Sequence, residues 1–247
     1  MVPIHCLTRA EDLLDRVHLQ LRERVLDVAC GTGVVSRFAA TRVGLLGRVT
    51  GIELNPAMLE VARQISACYD QIEYVEGSAL ELPVRDSQFD AVLCQQAIMF
   101  FPDREKAVRE MHRVLKPGGR VGLNVWRTPE YNPTFDCLIA ALEKHAGHDA
   151  AEFMRSPFVM KSVSEMRGIF EQAGFADIHV VIRIDSLRYP SVAHLVRFET
   201  LNIPDPEIQR EAVQNALTRE MDELVADYID DDGVVFPLQD YVVFARK

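Results

Sequence analysis

Two carboxylates and two glycines carry the chemical signal in this chain. Val25-Leu-Asp-Val-Ala-Cys-Gly-Thr-Gly-Val-Val-Ser36 reads as a strand that ends in a glycine turn and opens a helix. Gly31 and Gly33 let the backbone turn sharply and let a ligand approach without meeting a Cβ. Glu53 closes the following strand about 20 residues after Gly33, where a carboxylate can accept hydrogen bonds from both hydroxyls of a ribose. Asp27, just before the turn, adds a second negative charge. The set suits a nucleoside held at the carboxyl ends of the strands, beside the topological switch point of an open α/β sheet.

That spacing is shared with dinucleotide binders, and glycine turns also follow strands where nothing binds. In that plainer reading Asp27 is a cap or turn residue, Glu53 a solvated strand end, and Gln95 and Gln96 loop positions. Charge separates the ligands. A dinucleotide brings an anionic pyrophosphate to the turn, whereas S-adenosylmethionine (SAM) brings a zwitterionic methionine tail and a cationic sulfonium, and Asp27 suits the ammonium of that tail better. Ser36 replaces the third glycine of the dinucleotide fingerprint, and no Gly-Lys-Ser/Thr phosphate loop is present. An NAD-dependent oxidoreductase is the alternative, supported by the glycine turn and Glu53 but lacking a Tyr-x-x-x-Lys pair. A noncatalytic SAM-binding protein is a third reading, because fold does not fix function.

The elements that must position these residues follow a β-α-β-α rhythm. Short Val, Leu and Ile runs at 24–27, 48–53, 72–75, 90–94 and 120–125 read as strands, and 178–184 and 241–245 as the last two. Helices follow the first two strands, one carrying Val34, Val35, Phe38 and Ala39, the next capped by Asn55 with Pro56 at its first position and Met58, Leu59, Ala62 and Ile65 turned inward. Asp103 caps a helix over 104–115 that Lys116-Pro-Gly-Gly119 stops, and Ser162-x-x-Glu165 fits a capping box for a helix ending at Gly174. The predicted fold is α/β: a Rossmann-like, doubly wound, mostly parallel seven-stranded sheet with helices on both faces and a helical lid insertion before the last strand. Residues 1–23 form a helical lead-in, with Asp12, Leu13, Leu14, Val17 and Leu21 in one amphipathic helix. Residues 24–247 form the main domain, with insertions at about 127–161 and 186–240 facing the substrate. The second insertion carries Ile208, Ala212, Leu217, Met221, Leu224, Val225 and Tyr228 at helical spacing. Asp230-Asp-Asp-Gly233 lacks the ligand alternation of a calcium loop and reads as a solvated turn.

Bulk properties narrow the classes further. The chain has 247 residues, 48% apolar and 26% charged, with no apolar run of the roughly 20 residues a membrane span needs. No stable membrane insertion is expected. Met1 to Cys6 lacks the basic and apolar regions of an export signal, which leaves a cytoplasmic location as the default. Five scattered cysteines form no Cys-x-x-Cys pair. A net charge of −10 argues against nucleic acid as a partner, because phosphate binding depends on Lys and Arg.

The chain resembles the class I SAM-dependent methyltransferases, in the broad group that includes quinone-biosynthesis methyltransferases. The resemblance runs from about Val25 to Lys247 and rests on five pieces in order. These are Leu26-Asp-Val-Ala-Cys-Gly-Thr-Gly33, Gly51-Ile-Glu-Leu-Asn-Pro-Ala-Met58, Glu76-Gly-Ser-Ala-Leu-Glu-Leu-Pro83, Phe89-Asp-Ala-Val-Leu-Cys-Gln-Gln96 and Arg113-Val-Leu-Lys-Pro-Gly-Gly119. It implies that Asp27, Ala29, Gly31 and Gly33 frame the methionine portion of SAM and that Glu53 holds the ribose. Leu54 and Met58 flank the adenine, Ser78 and Ala79 meet its edge, and Gln95 and Gln96 close the site. Ser78 departs from the family's usual Asp, and a hydroxyl accepts a hydrogen bond more weakly than a carboxylate.

Methyl transfer from a sulfonium is an in-line displacement that needs positioning and exclusion of water, not a metal or a covalent intermediate. A base helps only if the acceptor is a hydroxyl or an acidic carbon. Tyr131, His145, His148 and His194, all within the two insertions, are the candidates for that base, each equally readable as a packing or surface residue. His145-x-x-His148, followed by Asp149 and Glu152, also has the spacing for two imidazoles on one helical face, although no metal is expected. Trp126 and Arg127 are candidates for the mouth of the acceptor pocket, and Phe198, Leu201 and Ile203 for its apolar contacts. The acceptor is a small organic molecule of lipophilic character. With so short a lead-in, a second subunit of a homodimer is an alternative source of cover for the site.

Overall fold

In the computed structural model, residues 4–247 are described, with side chains from Leu7 onward. The expectation drawn from Met1 to Cys6 falls outside those side chains. Two compact units form: one from Met1–Val125, Ser162–Ile182 and Tyr241–Lys247, the other from Trp126–Lys161 and Arg183–Asp240.

The first unit opens with α1 (Ile4–Val17), followed by β1 (Arg24–Val28), α2 (Val34–Val43), β2 (Arg48–Glu53), α3 (Pro56–Ile65) and β3 (Ile72–Glu76). After β4 (Phe89–Gln95) and α4 (Arg104–Val114) comes β5 (Leu115–Trp126), whose last residue enters the second unit. There α5 (Pro133–His145) and α6 (His148–Arg155) follow, before the chain returns for α7 (Val163–Gln172) and the first half of β6 (Ala176–Tyr189). The remainder, α8 (Val192–Glu199), α9 (Glu211–Leu224), the two-residue β7 (Ile229–Asp230) and most of β8 (Gly233–Arg246), belongs to the second unit.

The strands lie in the order β3-β2-β1-β4-β5-β8-β6, with β7 paired to β8. β3, β2, β1, β4 and β5 are parallel neighbours. Backbone bonds join Gly119 to Lys247 and Arg127 to Gln239, so β8 runs antiparallel to β5. This is the expected mostly parallel sheet of seven strands, to which β7 adds a short eighth.

Burial explains the layers. Val25, Val49, Ala91 and Leu93 form one core with Leu13, Leu14 and Val17 of α1 and with Val35, Ala39 and Val43 of α2. The alternate residues Leu26, Val28, Ile52, Val92 and Cys94 are buried too. A sheet apolar on both faces requires helices on both. In the second unit α5 packs against α6 and α9, and α8 against α9, around Leu138, Leu142, Leu195, Val196, Leu217, Met221 and Phe236.

Several expectations change. α1 ends at Val17 with His18 at φ 53, so Leu21 lies beyond the helix and is 73% exposed. Met58 and Ile65 are largely exposed, and only Leu59 and Ala62 of α3 face inward. β6 and β8 are each 14 residues long, well beyond the predicted 178–184 and 241–245. The acidic run 230–232, by contrast, is an exposed turn as expected, at the tip of a hairpin where Asp230 accepts the Asp232 N–H at 3.0 Å and pairs with Arg188 through both oxygens. No helix among the described residues is long and apolar enough to cross a membrane.

Candidate functional site

Strand order reverses at β1 and β4, and the crevice beyond the carboxyl ends of these strands is where open α/β sheets hold ligands. Register puts Asp27 of β1 between Gly51 of β2 and Leu93 of β4. Its side chain is buried and accepts a 2.6 Å hydrogen bond from the Ser36 hydroxyl of α2. Burial lifts its pKa from 3.8 to about 7, with the Glu53 charge adding to the rise and Ser36 and Arg37 opposing it. The following turn is left-handed at three positions, Ala29 (φ 55), Gly31 (φ 54) and Gly33 (φ 76). At Ala29 this is strain, of the kind that concentrates at ligand sites. The turn is tied down by Cys30 N–H to Ile52 O at 3.0 Å and by Gly33 N–H to Cys30 O at 2.8 Å.

Glu53 stitches the neighbouring strand ends together. One carboxylate oxygen accepts the Gly31 N–H and the other the Asn55 N–H, each at 3.0 Å. The Glu53 carbonyl accepts the Gly77 N–H at 3.0 Å, which sets the end of β3 beside it. Asn55 caps α3 through the N–H groups of Ala57 and Met58, as its position before Pro56 predicts. Two apolar side chains here stay in solvent, Leu54 at 67% and Met58 at 44% exposure, and the Met58 sulfur lies beside Gly31. Ser78 turns its hydroxyl back to the Leu80 N–H at 3.2 Å, with Ala79 half-buried next to it. Beyond β4, Gln96 adopts φ 50 and donates its N–H to the Asn124 carbonyl and side-chain oxygen, while Gln95 pairs in register with Asn124. Both amide atoms of Gln96 are shielded from solvent and have no hydrogen-bond partner among the described residues.

Thus Asp27, Ala29, Gly31, Gly33, Glu53, Leu54, Met58, Ser78, Ala79, Gln95 and Gln96 all sit at the carboxyl ends of β1 to β4 in the first unit. Tyr131, His145, His148 and His194 lie in the second unit and are engaged separately. Tyr131 stacks under the Arg127 guanidinium, 3.4 Å from the ring centre. His145 meets Glu220 at 3.2 Å, His148 meets Glu143 at 3.3 Å, and His194 lies beside the Tyr189 ring. The two imidazoles expected on one helical face stand on different helices, because Gly147 at φ 93 separates α5 from α6. Among the described residues no group of His, Cys, Asp or Glu is arranged to hold a metal ion. Trp126 and Arg127 are buried, Trp126 against Phe158 and Arg127 bonded to Gln239. Of the apolar candidates, Ile203 is buried, Phe198 half-buried beside Tyr189 and Leu201 exposed.

Residue-by-residue reading missed two features. Tyr74 of β3 lies across Gly51 and under Gly33, filling the space of both absent side chains. A glycine inside a strand marks close approach of another group, so Gly51 was the available signal. In the second unit the Tyr189 hydroxyl donates to Glu199, whose carboxyl burial pushes up to about 7. Nothing in the local sequence joins those two.

Comparison with known proteins bears on these strand ends. Residues 26–123 match the family described as "Methyltransferase domain". Demethylmenaquinone methyltransferase of Staphylococcus epidermidis is 33% identical over 178 residues, spanning 68% of this chain and 74% of that protein. The Staphylococcus aureus protein of the same name is 34% identical over 167 residues, 64% of this chain and 69% of that one. Among solved structures, the YcgJ protein of Bacillus subtilis superposes with a TM-score of 0.67 at 20% identity over 98% of each chain. Phosphoethanolamine N-methyltransferase 2 of Haemonchus contortus, in complex with SAM, gives 0.61 at 19% identity, covering 97% of this chain and 52% of that one. These likenesses establish the fold.

Proposed function

Because the chain belongs to the class I SAM-dependent methyltransferases, we propose that its acceptor is a small lipophilic ring compound of the quinol type and that the ends of β1 to β4 hold the cofactor. SAM-dependent methylation sets aside the oxidoreductase and noncatalytic readings. When bound, SAM supplies a methyl group on a sulfonium for in-line transfer.

In this reading the Gly31 and Gly33 backbone receives the methionine portion, with Asp27 facing its cationic end. Glu53 accepts the ribose hydroxyls, using lone pairs left after the Gly31 and Asn55 bonds. Leu54 and Met58, apolar yet exposed, take the faces of the adenine, and burying them there is favourable at about 25 cal/mol per Å². Ser78 and Ala79 border the adenine edge. Ser78 already accepts the Leu80 N–H, so it serves that edge less strongly than a free carboxylate. Gln95 and Gln96 close the site; the shielded, unpartnered Gln96 amide is the kind of orphan that a ligand satisfies.

The observation that carries the cofactor placement is the convergence of Asp27 and Glu53 on one left-handed glycine turn. A ligand with a cationic tail and a ribose matches it; a pyrophosphate would face two carboxylates. The quinol-type acceptor rests on the Staphylococcus relatives. If the acceptor is a ring carbon or hydroxyl, a base assists, and Tyr131, His145, His148 and His194 remain its candidates. The test is calorimetry with SAM, S-adenosylhomocysteine and NAD, followed by a labelled-SAM screen over demethylated quinols, phenols, amines and fatty acids. The reading expects both sulfur ligands to bind in preference to NAD and the quinols to be labelled. Preference for NAD would end the cofactor placement, and labelling of amines or fatty acids with quinols unlabelled would end the acceptor assignment.

A further inference from the structure

Two turns stand side by side where strands of the first unit begin. The Glu23 N–H donates to the Gln20 carbonyl at 3.4 Å and the Gly47 N–H to the Gly44 carbonyl at 3.0 Å, so 20–23 and 44–47 are β-turns leading into β1 and β2. The Arg22 N–H donates to the Val43 carbonyl at 2.8 Å and the Arg48 N–H to the Glu23 carbonyl at 3.0 Å, which fastens one turn to the other. Leu21 itself reaches the second turn: a Cβ at Gly44 would stand 3.2 Å from its Cδ2.

The corners of these turns carry the wrong residues for a surface left in water. Turn corners favour Gly, Pro, Asn, Asp and Ser, each for a reason of backbone geometry or hydrogen bonding. Here they are Leu21 and Arg22 in one turn and Leu45 and Leu46 in the other. With 83% exposure at Leu45, 73% at Leu21 and 70% at Leu46, these are the three most exposed large apolar side chains among the described residues. Exposed leucines scattered singly need no explanation, but three on adjoining turns form one apolar tip.

Cations surround that tip. Arg22, Arg24, Arg42 and Arg48 are all exposed, with Arg24 and Arg48 paired in register at the first residues of β1 and β2. Arg42 is paired with Asp15 at 2.6 Å, and Arg48 donates to the Leu45 and Gly47 carbonyls, whereas the guanidinium groups of Arg22 and Arg24 meet no acid among the described residues. Of the acids beside the turns, Glu23 is taken by Arg120 at 2.7 Å and Asp90 by Lys116 at 2.6 Å, while Asp70, ahead of β3, is exposed. From Gln20 a cleft continues along the end of α1, lined by Arg16, His18, His179 and Arg246 with Asp177 as its one acid. A chain of net charge −10 thus gathers positive charge around its most exposed leucines.

An anionic bilayer presents phosphates above hydrocarbon, the order that an apolar tip with a cationic collar matches. We propose that the two turns are a docking tip for an anionic phospholipid bilayer: Leu21, Leu45 and Leu46 enter its hydrocarbon edge, and Arg22, Arg24 and Arg48 meet the lipid phosphates. Apolar insertion and attraction between arginine and phosphate add, and reversible docking that lasts takes two such signals. The tip lies at the amino ends of β1 and β2, and the residues proposed for the cofactor at their carboxyl ends, so docking leaves the cofactor crevice uncovered.

The test is flotation of the full chain with vesicles of phosphatidylglycerol and phosphatidylcholine in a one-to-two ratio, and with phosphatidylcholine alone. Wild type should float with the anionic vesicles and much less with the neutral ones. Leu45→Ser with Leu46→Ser should lower the partition coefficient about 100-fold, about tenfold for each leucine, and keep the salt dependence of wild type. Arg22→Gln with Arg24→Gln should lower it about 25-fold at low salt, about 5-fold for each arginine, and flatten the salt dependence. All four side chains are exposed, and an unchanged melting temperature shows that each variant keeps the fold. Wild type that stays off the anionic vesicles overturns the proposal, as does a leucine variant that floats like wild type. Sedimentation velocity without lipid tests the other occupant: a wild-type dimer that the leucine variant dissolves would assign the tip to a second copy of this chain and overturn docking to lipid.

Discussion

Replacing Asp27 by asparagine should make the ligand-free protein more stable at alkaline pH while weakening its hold on SAM. The side chain is buried, and burial lifts its pKa from 3.8 to about 7. A folded-state value above the unfolded one means that the folded state binds more protons between the two. Stability is then highest below about pH 4, falls as pH rises through the window from 3.8 to about 7, and stays lower above it. At about 1.4 kcal/mol for each tenfold change, the full cost of ionising Asp27 in the folded protein is about 4 kcal/mol. The substituted amide carries no charge, yet its oxygen can still accept the Ser36 hydroxyl that Asp27 holds at 2.6 Å.

Domains of this size shift by about 2–4 °C per kcal/mol, so the variant should melt about 10 °C above wild type at pH 8 and near it at pH 4.5. Differential scanning calorimetry of ligand-free protein at both pH values measures this, and SAM titration at pH 8 measures the other half. Wild type should recover stability on binding, because a cation compensates the buried charge; the variant should recover less. A ligand-free variant that melts at or below wild type at pH 8, with its Ser36 contact intact, would refute the claim that Asp27 is held at a cost in stability.

Three further outcomes follow from particular contacts. Glu53→Gln keeps the shape but turns an amide N–H toward one of the Gly31 and Asn55 N–H donors; calorimetry should show SAM affinity reduced about 10- to 100-fold, the loss of 1.5–3 kcal/mol for a charged hydrogen bond, and a change under twofold would contradict it. Gly51→Ala drives a methyl into the Tyr74 ring and to 2.9 Å from the Cys30 sulfur, which should lower stability by about 1–3 kcal/mol in urea denaturation; Tyr74→Leu in the same chain should recover part of it. His145→Ala removes a contact with Glu220, which Lys144 also holds at 2.6 Å, so the melting temperature should stay close to wild type; a large loss of methyl transfer instead would identify His145 as the base.

What could be read in the sequence was what depends on neighbours along the chain. Asn55 before Pro56, Asp103 and Ser162 each cap the helix their spacing announces, because a cap is a local hydrogen bond. Features set by register were not legible. In β8, Val234, Phe236 and Leu238 alternate inward, but Pro237 and the buried Asp240 disguise the strand. β6 is largely exposed and alternates charge with aliphatics, so no clean apolar face marks its ends. His145 and His148 are three apart, which reads as one helical face until Gly147 breaks the helix.

The two carboxylates of the glycine turn are held in opposite ways, and the difference bears on how charge is used. Glu53 is half-exposed and already answered by two backbone donors. Asp27 is buried with one strong donor, and Glu53 itself adds to its difficulty in ionising. A nucleoside with a cationic tail relieves that difficulty, whereas a neutral or anionic one leaves it in place. Discrimination by charge therefore resides mainly at Asp27, where the medium is least polar and an unpaired charge is worth most, while Glu53 contributes geometry. On this argument a SAM analogue lacking the α-ammonium charge should lose more affinity in wild type than in Asp27→Asn. Its loss in Glu53→Gln should match that in wild type.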